Sequence, residues 1–200
     1  VWDFRAEDVR QGGEGAPLVP FFHHALARWA VAQGRLDAAP VVFLNLGGVG
    51  NLTWCDPRQP DPLRACIAFD TGPANAPLND LMRARRGLAR DEGGALAASG
   101  HADEAVVEAF LRHEYFTRPA PKSLDRDAFA LLGPAMVGLG DADAAATLVH
   151  AAAAAVASGL GLLPSRPDML LVCGGGRHNA AIMAALESRS GLPVRPVEAA

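Results

Sequence analysis

The sequence predicts an α/β fold, and three observations carry that expectation. Short apolar, strand-forming runs recur at 41–44, 52–55, 64–69, 169–173 and 194–197. Segments with apolar residues at helical spacing lie before, between and after them, at 18–33, after 75, at 103–113, 143–163 and 179–190. Glycine clusters stand where two of the strands end: Gly47, Gly48 and Gly50 after one, Gly174, Gly175 and Gly176 after another. Three neighbouring strands with short links suggest a sheet that starts antiparallel or mixed.

Taken in order, residues 1–17 lack periodicity and hold Gly12, Gly13 and Gly15, so they read as a strand end and a loop. A helix over 18–33 has Val19, Phe22, Leu26 and Trp29 on one face and Gly34 as its stop. His23 and His24 on it are neighbours, so they cannot both face one metal from one helix face, and they read as partly exposed. The run 41–44 is apolar on both faces, as a buried strand is. Gly47 to Gly50 turn it into a second strand, Pro57, Pro60 and Pro62 mark a loop, and the third strand alternates Cys66, Ala68 and Asp70 against Ile67 and Phe69. Asn75 is a good N-cap for the helix that buries Leu78, Leu81 and Met82. Residues 83–100 are charged and glycine-rich and read as mobile, with Arg83, Arg85 and Arg86 on a solvated helix face. Residues 119–123 read as extended, and 143–163 as a long alanine-rich helix.

Composition bounds the function. Two hundred residues fit one domain or two small ones, and 18 basic against 22 acidic residues leave a net charge of −4. That balance argues against a general nucleic-acid binder. Cys55, Cys66 and Cys173 contain no CxxC pair, which speaks against a disulfide framework or a zinc knuckle and fits a reducing cytoplasm. No apolar run reaches the roughly 18 residues of a membrane helix, and no signal peptide opens the chain. The chain starts at Val1 and stops just after a strand, and so reads as a fragment.

Four motifs have chemistry to offer. In the first, from Asn45 to Asn51, glycines let backbone N–H groups approach a phosphate. It is not the dinucleotide fingerprint, because the turn opens a strand and not a helix; a plain hairpin with glycines at positive φ is the competing reading. In the second, Asp70-Thr71-Gly72-Pro73-Ala74-Asn75, a carboxylate at a strand end points into the crevice where α/β proteins bind ligands. Asp70 is a general base, a metal holder through water, or merely a turn residue. In the third, Cys173 to Asn179, three glycines in a row make a side-chain-free floor for a purine ring or a phosphate, and packing alone rarely selects them. The fourth, around Gly12-Gly13-Glu14-Gly15, follows Arg5, which could hold a carboxylate bidentately or sit in a surface ion pair. Glu14 is a loop residue or a sugar contact. Lys122 pairs with a carboxylate or with a phosphate.

Together these segments resemble the anhydro-N-acetylmuramic acid kinases, within the actin/hexokinase/Hsp70-type ATPases. Residues 3–5 and 12–20 resemble the family's "DFR…GGQGAPLVP", 45–53 its "NIGGIANLT", and 70–75 its "DTGPGN". Residues 121–123 match "PKS" and 173–179 match "CGGGxxN". Glu14 stands for a Gln, Gly50 for an Ala, Ala74 for a Gly, Ala76 for a larger apolar residue, and 124–127 for "TGRE". The resemblance implies a ribonuclease H-like mixed-sheet lobe, with residues 1–36 as the tail of a first lobe and an interlobe helix, and 37–200 as a second, nucleotide-binding lobe incomplete at its end. The first phosphate loop of the family is absent, which implies a fragment inactive alone. The implied activity hydrolyses the anhydro ring of 1,6-anhydro-N-acetylmuramic acid and phosphorylates its 6-oxygen with ATP and Mg²⁺, in cell-wall recycling in the cytoplasm. Asp70 matches the base that activates water. Gly47, Gly48, Asn51, Gly72, Asn75, Gly174, Gly175, Gly176 and Asn179 would serve the nucleotide, and Arg5 and Glu14 the sugar; no residue is assigned to a metal. The implied partners are the sugar and ATP, with no nucleic acid and no membrane, in a homodimer. Another sugar or acid kinase of the superfamily, a non-catalytic nucleotide-binding remnant, and a structural domain without ligand are the rivals.

Overall fold

The structure is a computed structural model that describes residues 3–13, 15, 17–125, 128–129 and 132–199. The elements are α1 (Phe4–Arg10), α2 (Pro20–Ala32), β1 (Val41–Leu46), β2 (Val49–Cys55), α3 (Pro62–Ala65), β3 (Cys66–Pro73), α4 (Asn75–Arg86), α5 (Ala95–Ala98), α6 (Glu104–Leu111), α7 (Leu132–Ala135), α8 (Asp141–Leu160), β4 (Leu170–Cys173), α9 (Ala180–Ser190) and β5 (Val194–Pro196). The five strands form one mixed sheet in the order β3-β2-β1-β4-β5. β1, β2 and β3 pair antiparallel, and β4 joins β1, and β5 joins β4, in parallel. The predicted α/β class and the mixed sheet hold.

The pleat divides β1 cleanly. Val42, Leu44 and Leu46 join Leu52, Trp54, Phe69, Leu170 and Val172 in the main core, under α4, α6, α8 and α9. Val41 and Phe43 point the other way, into a smaller cluster with Cys55, Leu171 and Ala27 of α2. A fully buried side chain of this size contributes roughly 1.5–3 kcal/mol, so the main core dominates stability. α8 runs through it with Ala144, Ala145, Ala151, Ala153, Ala154 and Ala155 all buried. Small side chains let β3 approach closely: a Cβ on Gly159 would stand 3.2 Å from the Phe69 ring. By length and composition α8 is the one described helix fit to cross a membrane, contrary to the reading that no run is long enough, but here it is a core helix.

Several expectations are corrected. Residues 4–10 are helical, because Asp3 Oδ1 accepts from the N–H groups of Arg5 and Ala6 and caps a turn too short to show periodicity. α2 turns its other face inward. Phe22 and Trp29 are 64% and 48% exposed, while His23 and His24 are buried. The His23 ring stacks on Phe43 at 4.6 Å and bonds Thr53 Oγ1 at 2.9 Å, and His24 Nε2 bonds the Gln59 carbonyl at 2.8 Å, so both imidazoles are satisfied inside. Asn75 is the first residue of α4 and not its cap; Ala74 precedes the helix with no side-chain bond. The stretch 83–100 is ordered by the buried Asp91 carboxylate, which accepts from the N–H groups of Leu96 and Ala97. Arg83, Arg85 and Arg86 are exposed, as read for a solvated helix face, and Arg85 also donates to the carbonyls of Met136 and Leu139, and Arg86 to Asp141. The third strand begins only at Cys66, because Asp61 caps the short turn α3 before it.

Candidate functional site

The candidate residues gather where β1, β4 and the β2–β3 pair meet their loops. Register aligns Asp70 of β3 with Asn51 of β2, Asn51 with Asn45 of β1, and Asn45 with Cys173 of β4. Cross-strand partners share a face, so these four side chains form a polar row at the end of an otherwise apolar sheet. It lies on the face that α2 covers, in line with Phe43 and Val41. The register shifts between Gly50 and Asn51, a bulge beside Asp70 of the kind that re-aims side chains next to active sites.

Asp70 is buried, and its environment is specific. Its Oδ2 accepts from the Leu124 N–H at 2.8 Å, its own N–H donates to the Lys122 carbonyl at 3.0 Å, and its carbonyl accepts from the Tyr115 hydroxyl at 2.6 Å. Burial pushes its carboxyl above the ordinary carboxylate value, while the Leu124 N–H and the Arg5 guanidinium pull it back down. Arg5 thus reaches the field of Asp70 from α1; its Nε donates to the Gly15 carbonyl at 3.0 Å. A carboxylate that is desolvated, held by one N–H and left with a second oxygen is suited to taking a proton. Among the described residues Lys122 meets no carboxylate. It is buried with its Nζ on the Tyr115 carbonyl at 2.9 Å and over the Tyr115 ring.

Where β1 and β4 run into their loops is a cleft of about 380 Å³, lined by Leu46, Gly47, Gly48, Asn75, Asn79, Arg90, Glu92, Gly175, His178 and Asn179 among others. Its glycines divide sharply. Gly47, Gly48 and Gly175 all have φ outside the left-handed region, and a Cβ on any of them would meet only ordinary contacts or open space. The fold therefore gives no reason for glycine there, and the hairpin reading with positive φ is wrong for this turn. Gly174 and Gly176 are different. Gly174 has φ +77°, and a Cβ on Gly176 would strike Leu46 Cβ at 2.5 Å. Gly72 does not line the cleft: it is buried beneath α8, where a Cβ would meet Ala155 Cβ at 2.8 Å.

The two asparagines of the cleft have structural duties. Asn75 Nδ2 donates to the carbonyls of Leu46 and Gly47, at 2.7 and 2.9 Å, and the N–H groups of Ala74, Asn75 and Ala76 donate to Gly48 and Gly47. The β1–β2 turn is thereby pinned to the start of α4. Ala74 stands in that turn with φ −122° and ψ −104°. Asn179 caps α9 by accepting from the Ile182 N–H. No group of three or more His, Cys, Asp or Glu side chains able to hold a metal occurs among the described residues.

The chain matches the family model of anhydro-N-acetylmuramic acid kinase over residues 1–198. The chain belongs to the anhydro-N-acetylmuramic acid kinase family. It is 62% identical over 202 residues to the anhydro-N-acetylmuramic acid kinase of Cereibacter sphaeroides, covering 100% of this chain and 53% of that protein. It is 54% identical to the one of Rhodospirillum rubrum, covering 100% of this chain and 50% of the relative. The chain thus spans about half the length of the curated kinases it matches. Among solved structures, it resembles the activator of 2-hydroxyisocaproyl-CoA dehydratase from Clostridium difficile, with bound ADPNP, at TM-score 0.45 and 11% identity over 82% of this chain.

Of the residues singled out in the sequence of this kinase-family chain, the structure brings Gly47, Gly48, Asn75, Gly175 and Asn179 to the cleft, and Asn51 and Asp70 to the row on β2 and β3. Gly174 and Gly176 do not line the cleft but pack against Asn45 and Leu46. Glu14 lies outside the described residues. Sequence reasoning missed Asn79, Arg90, Glu92 and His178 at the cleft. Asn79 had a signal, because it follows Asn75 at i+4 on one helix face. Arg90 and Glu92 had none beyond their mutual ion pair of 2.7 Å in an irregular loop.

Proposed function

We propose that this chain is the nucleotide-cleft and base-bearing half of an ATP-dependent kinase that opens 1,6-anhydro-N-acetylmuramic acid with water and phosphorylates its 6-oxygen. Family membership supports the substrate, and the cleft supports the donor. The observation that carries the reading is that Gly47, Gly48 and Gly175 face the same cleft with no conformational or packing need for glycine. A flat lining without side chains suits a nucleotide, with backbone N–H groups of the Gly47–Gly48 turn approaching phosphate and Gly175 beneath the base or ribose.

Asp70 acts as the base. Its free oxygen takes the proton of the water whose oxygen bonds to the anomeric carbon. The bond from that carbon to the bridging 6-oxygen breaks, and the 6-oxygen accepts the phosphoryl group as the bond to ADP is lost. Asn51 and Asn45 continue the row and offer hydrogen bonds toward the reacting sugar, and Arg5 supplies positive charge for its lactyl carboxylate. Positioning and electrostatics carry most of the rate in phosphoryl transfer. Mg²⁺, when bound, would neutralise charge on the phosphates. It takes few protein ligands in such sites, and Asp70 is the carboxylate that the row offers. We extend the family reading to a division into a first-lobe tail and interlobe helix (1–36) and a nucleotide-binding lobe (37–200), to a homodimer and to a cytoplasmic location.

The test is ADP release by the full-length protein, this chain joined to the remaining half of the Cereibacter sphaeroides relative. ATP and Mg²⁺ are supplied with the anhydro sugar, with N-acetylmuramic acid, or with glucose. Release only with the anhydro sugar supports the assignment. Release with a different sugar, or with none of them from a folded protein that binds ATP, overturns the substrate.

A further inference from the structure

β3 is an edge strand, so one side of its backbone has no strand to pair with. At Asp70 that side is closed by residues far along the chain. The Asp70 N–H donates to the Lys122 carbonyl at 3.0 Å, Lys122 Nζ donates to the Tyr115 carbonyl at 2.9 Å, and the Tyr115 hydroxyl donates to the Asp70 carbonyl at 2.6 Å. The three residues thus close a ring of hydrogen bonds around the backbone of the proposed base. From this geometry we infer that Tyr115 and Lys122 are positioning residues that fix the Asp70 carboxylate for proton transfer, an inference that rests on the proposed role of Asp70.

A buried lysine here needs a reason. Lys122 is 1% exposed, and Met or Leu would fill its space without desolvating an ammonium. Its compensation is built in: the Tyr115 carbonyl, the Tyr115 ring at 4.5 Å and the Phe69 ring at 5.4 Å. Phe69 precedes Asp70 on β3, so the ammonium grips both the strand that carries the base and the turn Glu114–Thr117 that carries Tyr115. The same segment then supplies the Leu124 N–H to Asp70 Oδ2 at 2.8 Å. Backbone and carboxylate are therefore located by one stretch of chain, which itself is locked by one ammonium. The ring leaves Oδ1 of Asp70 without a hydrogen bond among the described residues, open for the proton it is to take.

Removing one link lets the carboxylate drift without removing it. A misplacement of about 1 Å in a reacting group costs on the order of 100-fold in rate. The experiment measures kcat and KM for ATP and sugar in the full-length protein. Its variants are Tyr115→Phe, which keeps the ring and the carbonyl, Lys122→Met, which keeps the length and removes the charge, the double variant, and Asp70→Asn. Leu186→Ala, in the core beneath α9 and outside the hydrogen-bond ring, is the control for general loss of stability. The expected result is a fall in kcat of roughly ten- to a hundredfold in each single variant with KM within about twofold, no further fall in the double variant, and an unchanged kcat in the control. Should Lys122→Met fail to fold, Tyr115→Phe carries the test alone. A folded Tyr115→Phe protein with undiminished kcat, or one altered only in KM, overturns the inference while leaving the base reading intact. An active Asp70→Asn protein overturns the base reading, and this inference with it.

Discussion

Gly174, Gly175 and Gly176 are three identical letters with three different predicted responses to alanine. Gly174 has φ +77° and ψ 178°, a region nearly closed to other residues, and a Cβ there would stand 2.5 Å from Asn45 Oδ1 and 2.7 Å from the Leu46 carbonyl. Backbone strain of about 1–3 kcal/mol and overpacking of about 1–3 kcal/mol give a loss near 4 kcal/mol for Gly174→Ala. At about 2–4 °C per kcal/mol for a chain of this size, its Tm should fall by roughly 10 °C. Gly176→Ala meets Leu46 Cβ at 2.5 Å without the strain and should lose about 1–3 kcal/mol. Gly175→Ala meets nothing within 4 Å and should be neutral, or more stable by about 0.4–1 kcal/mol through the unfolded chain. Gly175→Val places bulk in the cleft and should weaken ATP by about tenfold or more, some 1.4 kcal/mol, with folding intact. Thermal unfolding reads the first three, and calorimetric titration with ATP on the full-length protein reads the last. If Gly175→Ala unfolds like Gly174→Ala, the geometry is wrong. If Gly175→Val binds ATP undiminished, the glycine floor is not the nucleotide site.

Two further predictions concern protons. Burial holds Asp70 above the ordinary carboxylate value, so the folded state binds more protons than the unfolded one in the window between those values, and stability falls as pH rises through it. Asp70→Asn removes that cost and should have a Tm at neutral pH equal to or above the parent's; a markedly lower Tm would contradict it. Burial also pushes His23 down to about 4 from its usual value near 6.5, so the unfolded chain takes the extra proton and stability falls as pH drops through that window. From pH 7.5 to pH 5 the full effect is about 2 kcal/mol, and residual solvent screening leaves about 1–2 kcal/mol. The stability of His23→Gln, measured in urea, should decline less over that range by this amount; parallel pH profiles would show that His23 charges freely in the folded protein.

The strands and the longer helices were legible because their signals are local. β1 and β4 are unbroken apolar runs, the apolar spacing of 103–113 and 179–190 marks α6 and α9, and Asp70 closes a run of alternating residues. What was not legible depends on partners distant in sequence. α1 is shorter than any helix that periodicity reveals, and α2 has apolar residues on both sides, so only its docking on Phe43, Thr53 and Gln59 shows that the histidines face inward. Charge and glycine made 83–100 look loose, but the buried carboxylate of Asp91 organises it. The site divides the same way. Motif spacing singled out Asp70 and the glycine turns, while what each glycine's missing Cβ would touch emerged only from the structure. The bond from Lys122 to the Tyr115 carbonyl has no counterpart in the residue pattern, since any backbone oxygen can accept.

The central claim is that Asp70 takes the proton of the attacking water. The most direct measurement compares single-turnover phosphorylation of the anhydro sugar by the full-length protein and by its Asp70→Asn variant, with ATP affinity determined on both. Loss of a correctly placed general base predicts a fall of at least about 100-fold in rate with unchanged ATP binding. A variant that turns over within a few-fold of the parent would place the base elsewhere and contradict the account.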